Sequence, residues 1–303
     1  MTAGHASHGQ FWIGAGGEAP VYVGWSGPEP VGAPSLVLIH GGGGQSTDWL
    51  GTPDGRPGWA PELSSRGHRV YAIDRPGHGR GSQWAAALGE MGPAPTAEGM
   101  GVLFRSPAGV HPNAHLQTQW PSDGGPPESD PALLQFLSGA RPMPADFGVA
   151  HALERRLGAE LLDRVGPSVL FTHSAGAPMG WLMAAERPEL VRAIVALEPF
   201  GPPFRPPGDG LPGLPHGLTA VPMERLSGVP VLLVTAEASL LGYFDADVRT
   251  YLTQAGAEVE LLRLADHGVR GNGHGMIFER NHLQVLDVVM AALGPLLDRT
   301  AQT

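Results

Sequence analysis

The 303 residues carry a formal net charge of -10, 42% hydrophobic residues and no cysteine. Enough apolar material is present for one large core, whereas disulfides, thiolate metal sites and a cysteine nucleophile are excluded. The acidic balance argues against nucleic acid or an anionic membrane surface as partner, and no apolar run is long enough to span a bilayer.

The 45 Gly and 31 Pro follow no period, which implies an elaborated loop layer on a single domain spanning 1–303. The N-terminus, MTAGHASHGQ, lacks a charged segment followed by an apolar run. The default expectation is a cytoplasmic protein, with export of a processed precursor as the alternative.

In chain order, Phe11 to Ile13 and Val21 to Val23 read as two edge strands, antiparallel to one another. Ser35 to Ile39, SLVLI, has the pattern of a strand buried on both faces and ends in His40 and four glycines. Such a glycine run is kept where something must approach the main chain closely. A short helix near Thr47 to Leu50, capped by Ser46 or Thr47, and a helix from Pro61 to Arg66 follow. The strand Val70 to Ile73 then runs into Asp74-Arg75-Pro76-Gly77-His78-Gly79, where the glycines suit a tight return and the carboxylate can hold the loop. His78 is read as part of that turn rather than as a metal ligand or catalytic group.

Between Trp84 and Pro144 sustained periodicity is lost except for a brief Leu133 to Phe136 stretch, as expected of an insertion that folds over a pocket. His111 and His115 have i, i+4 spacing, but Pro112 between them speaks against a zinc-binding helix. Helical spacing returns from Phe147 to Val165, with Leu153, Leu157, Leu161 and Leu162 on one face.

Ser168 to Ala185, SVLFTHSAGAPMGWLMAA, begins as a buried strand and continues as a helix from Ala175 onward, with Pro178 in its first turn. Ser174 therefore sits on a sharp strand-to-helix turn with Thr172 and Gly176 two residues to either side. That turn resembles the nucleophile elbow of the α/β-hydrolases, with Thr172 in place of the commoner first glycine. It exposes the hydroxyl and leaves the Ala175 amide at a helix N-terminus, where a developing negative charge is favoured. Gly42, with Gly43 as near alternative, is the expected second oxyanion-hole donor, because the loop after the earlier strand supplies it in this fold.

Downstream, Ala193 to Leu197 is a buried strand ending in Glu198-Pro199, and Phe200 to Gly228 is a second Pro/Gly-rich insertion, read as a wall or entrance of the pocket. Val231 to Thr235 is a strand ending at Glu237, Asp245 to Gln254 a helix, and Val259 to Leu264 the last strand. The loop DHGVRGNGHGM and an amphipathic helix from about Leu283 to Leu297 close the chain.

A serine needs a histidine to take its proton, and the histidine needs a carboxylate to orient it. On the last loop His274, among four small residues, is favoured over His267, and His282 reads as a neighbour of the helix start. Residue spacing leaves Glu198 and Glu237 both open as the acid, since both end strands at the edge where such sheets gather ligands. The serine itself excludes the aspartate-nucleophile branches of this fold. No metal or organic cofactor is implied.

The segments HGGGGQSTDW, TPDGRPGW, YAIDRPGHGR, THSAGAPMGW, ALEPFG and RGNGHGM, in that order, resemble the bacterial carboxylesterases of the esterase-713-like group of α/β-hydrolases. The resemblance covers most of the chain from about Phe11. It implies an α/β-hydrolase fold with a triad of Ser174, Glu198 and His274, and the irregular segments near 84–144 and 200–228 are then the expected pocket-covering insertions of a single domain. Two features depart from that group: Gly42 and Gly43 stand where its members carry adjacent cysteines, and the export signal common among them is missing here. The expected activity is hydrolysis of small to medium carboxylic esters, with lactones and other acyl substrates sharing the chemistry. A catalytically silent protein that binds a small apolar ligand in the same fold is the alternative of another class. The expected partner is the small-molecule ester alone, with a homodimer compatible with the sequence.

Overall fold

The strongest apolar runs in the sequence become the centre of one sheet. In a computed structural model that describes residues 7–17, 19–81, 85–200 and 225–300, eight strands follow each other as β1 (His8–Ile13), β2 (Val21–Ser26), β3 (Ser35–Ile39), β4 (Val70–Asp74), β5 (Ser168–His173), β6 (Val191–Leu197), β7 (Pro230–Thr235) and β8 (Glu258–Arg263). Their spatial order is β1-β2-β4-β3-β5-β6-β7-β8. The first two strands pair antiparallel, as does β2 with β4, and every other pairing is parallel. All residues of β3, β5 and β7 are buried, as continuous apolar strands covered on both faces must be.

Helices cover both faces. They are α1 (Trp59–Ser65), α2 (Ala85–Leu88), α3 (Ala97–Arg105), α4 (Pro131–Gly139), α5 (Phe147–Val165), α6 (Ala177–Glu186), α7 (Asp245–Gln254) and α8 (His282–Thr300). On one face Leu157, Leu161 and Leu162 of α5 pack with Met179, Trp181 and Met183 of α6 and Val248 and Leu252 of α7. On the other, Trp59 and Leu63 of α1 share a core with Val285, Leu286, Val289, Leu293 and Leu296 of α8. Each such buried side chain contributes about 1.5–3 kcal/mol relative to exposure. Helix α5 begins at Asp146, whose carboxylate accepts from Gly148 N and Val149 N, and stops at Gly166, with φ of 77°.

Two expectations are revised. The single turn at Ser46–Trp49 is capped by Gln45, in a reciprocal arrangement with Asp48, rather than by Ser46 or Thr47. The stretch 84–144 holds more order than its composition suggests: α3 starts on Thr96, whose hydroxyl accepts from Gly99 N, and buries Phe104, while α4 starts on Asp130, whose carboxylate accepts from Leu133 N. Glycines at 99 and 101 of α3 dilute its helical signal, yet Gly101 leaves room for Pro127, which a Cβ there would approach to 2.9 Å. Trp84, and residues 201–224 of the second expected insertion, lie outside the described residues.

Strand register positions the functional loops. Ile39 lies opposite Thr172, His173 opposite Leu197, and Leu197 opposite Val234. Consequently β3, β5, β6 and β7 all end at one edge, and the residues that follow them, His40, Ser174, Glu198 and Ala236, enter the same crevice.

Candidate active site

Ser174 follows β5 directly and has φ of +52°, and Glu198, directly after β6, has φ of +47°. Left-handed backbone costs a non-glycine residue on the order of 1–3 kcal/mol and persists where the surroundings over-determine it. Only Ala19 and Ser106 share this conformation among the other described non-glycine residues, so half of the strained positions are residues expected to act together. The turn is tight because β3 lies close: a Cβ on Gly176 would stand 2.4 Å from the His40 carbonyl oxygen. Pro178 fits the first turn of α6, where its missing N–H has no partner to lose.

The loop after β3 crosses directly above this elbow. A Cβ on Gly41 would lie 3.1 Å from the Ser174 Cβ, and one on Gly42 would lie 3.4 Å from the Ala175 Cβ and 2.7 Å from the Met143 sulfur. Gly42 is thereby brought beside Ala175, whereas Gly43 packs against Arg141 and Pro95. The two amides expected to receive an oxyanion belong to touching segments.

His274 is fully buried, and neither ring nitrogen has a hydrogen-bond partner among the described residues. Its Nδ1 lies 3.8 Å from Glu198 Oε2, longer than a hydrogen bond but an ion-pair distance once the ring is protonated. The ring is held by what surrounds it. Phe104 stacks on it at 5.8 Å between centroids and His173 at 4.8 Å, and His173 Nε2 donates to the His274 carbonyl at 2.9 Å. Burial lowers His274 to about 3, so the resting imidazole is neutral.

Glu198 accepts from Ala236 N at 2.6 Å through Oε1 and from the Ser239 hydroxyl through Oε2. Burial pushes its carboxyl up to about 8, against the lowering effect of those two donors. Glu237, the competing acid, is used elsewhere: it accepts from Gly271 N at 2.7 Å and from Arg270 at 3.1 Å, bracing the base of the histidine loop. His267 is exposed at the end of a single helical turn after β8. His282 opens α8, where its carbonyl accepts from Trp59 Nε1 at 3.1 Å.

Two supporting side chains, Glu279 and Phe104, escape a motif search. Glu279, fully buried, accepts from Gly273 N at 2.8 Å, Asn272 Nδ2 at 2.7 Å and Gln117 Nε2 at 2.9 Å, and so fixes the loop immediately before His274. Phe104 lies in the segment whose helix the sequence pattern hides. Asp74, legible as a loop-holding carboxylate, accepts from Ser46 N and Arg80 N, both at 2.7 Å. His78 is buried in the same turn, with Nδ1 on the Pro76 carbonyl at 3.0 Å. No group of three or more potential metal ligands occurs among the described residues.

Ser174, Ala175, His274, His173 and Gly41 to Gly43 line one cavity of about 660 Å³. The rest of its wall is largely apolar, with Met100, Leu103, Phe136, Met143, Phe147, Phe200 and Phe278. Its volume and mostly apolar lining fall in the range of pockets that bury small molecules.

A serine on a strained strand-to-helix turn, at the carboxyl edge of a mostly parallel sheet wrapped by helices, is the plan of the α/β-hydrolases. The sequence profile for the alpha/beta hydrolase fold matches residues 34–222, and the chain belongs to that family. It is 34% identical over 295 residues to a protein of Fungal sp. (strain ATCC 74256) named "Probable secreted lipase phiG", with 84% of this chain and 80% of that one covered. Among solved structures it resembles a novel bacterial esterase, with TM-score 0.69, 21% identity and 98% and 99% of the two chains covered. It also resembles the naproxen esterase (carboxylesterase NP) of Bacillus subtilis, with TM-score 0.51, 16% identity and 95% and 92% covered. The expectation of a cytoplasmic protein is overturned by the first of these likenesses, because a relative this similar is described as secreted.

Proposed function

We propose that the protein is a serine hydrolase of carboxylic esters. Ser174 attacks the ester carbonyl, and His274 takes the serine proton and later returns it to the leaving alcohol. Glu198 orients the imidazole and stabilises the imidazolium, and the amides of Gly42 and Ala175 receive the oxyanion. Water then repeats the sequence on the acyl-enzyme.

The observation that carries this reading is the convergence of Ser174 and His274 on one apolar cavity, with the Glu198 carboxylate 3.8 Å behind His274. The resting pair is uncharged on the histidine, so the attraction to Glu198 develops only as the proton moves, which favours the transition state over the ground state. The name of the 34%-identical relative, a lipase, supports ester hydrolysis. The charged groups in the wall are already engaged: Arg75 with Glu154, and Asp48 with Gln45 N. Neutral esters of short to medium acyl chains are therefore the proposed substrates.

The test is turnover of p-nitrophenyl acetate, butyrate and octanoate by the wild type and by Ser174→Ala, Glu198→Gln and Glu237→Gln, with folding checked by circular dichroism. Activity lost with Ser174→Ala and strongly reduced with Glu198→Gln, but retained with Glu237→Gln, is expected. Full activity in Ser174→Ala overturns the reading, and a larger loss in Glu237→Gln than in Glu198→Gln overturns the choice of acid.

A further inference from the structure

Beneath the loop that follows β3 lies a buried polar group that the acyl-transfer steps do not use. Arg75, immediately after β4, is 3% exposed, and Glu154, in the middle of α5, is 1% exposed. Arg75 Nε donates to Glu154 Oε1 at 2.8 Å and Nη2 reaches the same oxygen at 2.6 Å. The remaining arm of the guanidinium, Nη1, donates to the Gly41 carbonyl at 3.2 Å and lies 3.5 Å from that of His40.

His40 closes on the same carbonyl. Its Nε2 accepts from Arg75 N at 3.0 Å, which leaves the ring proton on Nδ1, and Nδ1 donates to the Gly41 oxygen at 2.8 Å. A single carbonyl is thus gripped by two buried donors whose own positions are fixed from β4 and α5.

The carbonyl of Gly41 and the N–H of Gly42 belong to one peptide unit. No cis peptide bond occurs among the described residues, and in a planar trans unit the C=O and N–H point in opposite directions. Holding the Gly41 oxygen on Arg75 and His40 therefore turns the Gly42 N–H away from those two donors, and Gly42 shares the wall of one cavity with Ser174 and Ala175. Among the described residues that N–H has no backbone acceptor. Glycine at 41 and 42 leaves this peptide few side-chain constraints of its own, so its orientation has to come from outside the loop.

We propose that Arg75 and His40, with Glu154 holding Arg75, are positioning residues that preset the Gly41–Gly42 peptide as an oxyanion donor. The inference rests on the assignment of Ser174 as nucleophile. A donor already aimed needs no reorientation when the oxyanion forms, and this is where such a site gains most of its rate. The buried pair also costs desolvation, which an apolar pair of the same shape would not. Its retention beneath the loop is accounted for by the carbonyl it holds.

The experiment measures kcat, KM and inhibition by a trifluoromethyl ketone for the wild type, Ser174→Ala, the double variant Arg75→Met/Glu154→Gln, and His40→Phe. Thermal melting is recorded alongside. The double variant removes both buried charges together, leaving neither unpaired.

The expected result is a kcat about 10²-fold lower with KM within about threefold, approaching the loss of one oxyanion donor. Ketone affinity should fall by the same factor as kcat/KM, and His40→Phe should show a smaller change of the same kind. A purely structural role would instead lower the active fraction and leave kcat per active site and ketone affinity intact. Unchanged kcat and ketone affinity in folded double variant, or in His40→Phe if the double variant does not fold, overturns the proposal. Undiminished turnover by Ser174→Ala would instead overturn the nucleophile assignment, so the two failures are distinguishable.

Discussion

At the scale of single residues, the strained backbone at Ser174 and Glu198 separates function from stability. Ser174→Gly and Ser174→Ala should both lose at least about 10⁴-fold in kcat, since either removes the proposed nucleophile. Glycine tolerates φ of +52° without the cost that alanine bears there. Ser174→Gly should therefore melt at or above the temperature of Ser174→Ala, and a clearly lower melting point would show that the turn is not strained.

The ionisation of Glu198 gives a second prediction. Its carboxyl is raised from 4.5 to about 8 in the folded protein, so between those values the native state binds more protons than the unfolded one. Stability carried by the protonated form is complete below 4.5 and is lost as pH rises through 8. Glu198→Gln should accordingly raise the melting temperature relative to wild type more at pH 9 than at pH 5. Activity should run the other way. The productive pair is a carboxylate with a neutral imidazole, so kcat/KM of the wild type should climb as pH rises through about 8, and Glu198→Gln should lack that limb. A wild-type profile flat between pH 6 and 9 would contradict this account.

At the scale of elements, the last loop is built to hold one ring. Glu279 gathers three donors from Gly273, Asn272 and Gln117; its removal leaves the buried Gly273 N–H without its acceptor, at about 1–3 kcal/mol, while Asn272 keeps Asn281 Oδ1 and Gln117 keeps the Phe104 carbonyl. Glu279→Ala should lower both stability and kcat, while Glu279→Gln should be milder because it keeps one acceptor; melting curves and steady-state rates check both. Helix α3 supplies the other support. Phe104→Ala removes a buried ring that stacks on His274 and on Trp120, whose centroid lies 5.6 Å away, and should cost about 3–5 kcal/mol in denaturant unfolding.

Neither support was legible in the sequence. Glu279 follows a phenylalanine in a stretch with no motif, and its role depends on a hairpin of chain that only folding brings together. Phe104 sits in a helix whose two glycines hide its period, although Thr96 as a cap and the spacing of Met100, Leu103 and Phe104 were available as signals. The buried central strands, by contrast, were readable almost to the residue, whereas β1 and β2 each extend three residues beyond the apolar runs Phe11 to Ile13 and Val21 to Val23. SLVLI and SVLFTH can be satisfied only in the middle of a sheet, and Ser35–Ile39 and the start of Ser168–His173 coincide with the apolar runs.

At the scale of the whole molecule, the α/β-hydrolase class follows from where polarity interrupts those runs. Strand ends carrying HGGGG, HSAG and EPF mark one edge of the sheet, and parallel register brings that edge together. Substrate preference is less readable, because the cavity wall comes from segments of irregular composition. With Phe136, Phe147, Phe278 and Met143 in that wall, p-nitrophenyl butyrate should be turned over at least tenfold more efficiently, in kcat/KM, than the hemisuccinate ester of p-nitrophenol. A preference for the charged ester would mean that a cation in the wall is free to receive it.

The central claim is that Ser174 forms a covalent acyl intermediate in this cavity, and the most direct measurement is covalent labelling by a fluorophosphonate followed by peptide mass mapping. The account predicts a single stoichiometric adduct on the peptide containing Ser174, formed slowly or not at all in His274→Ala. A folded wild-type protein left unlabelled, or an adduct on a different residue, would contradict it.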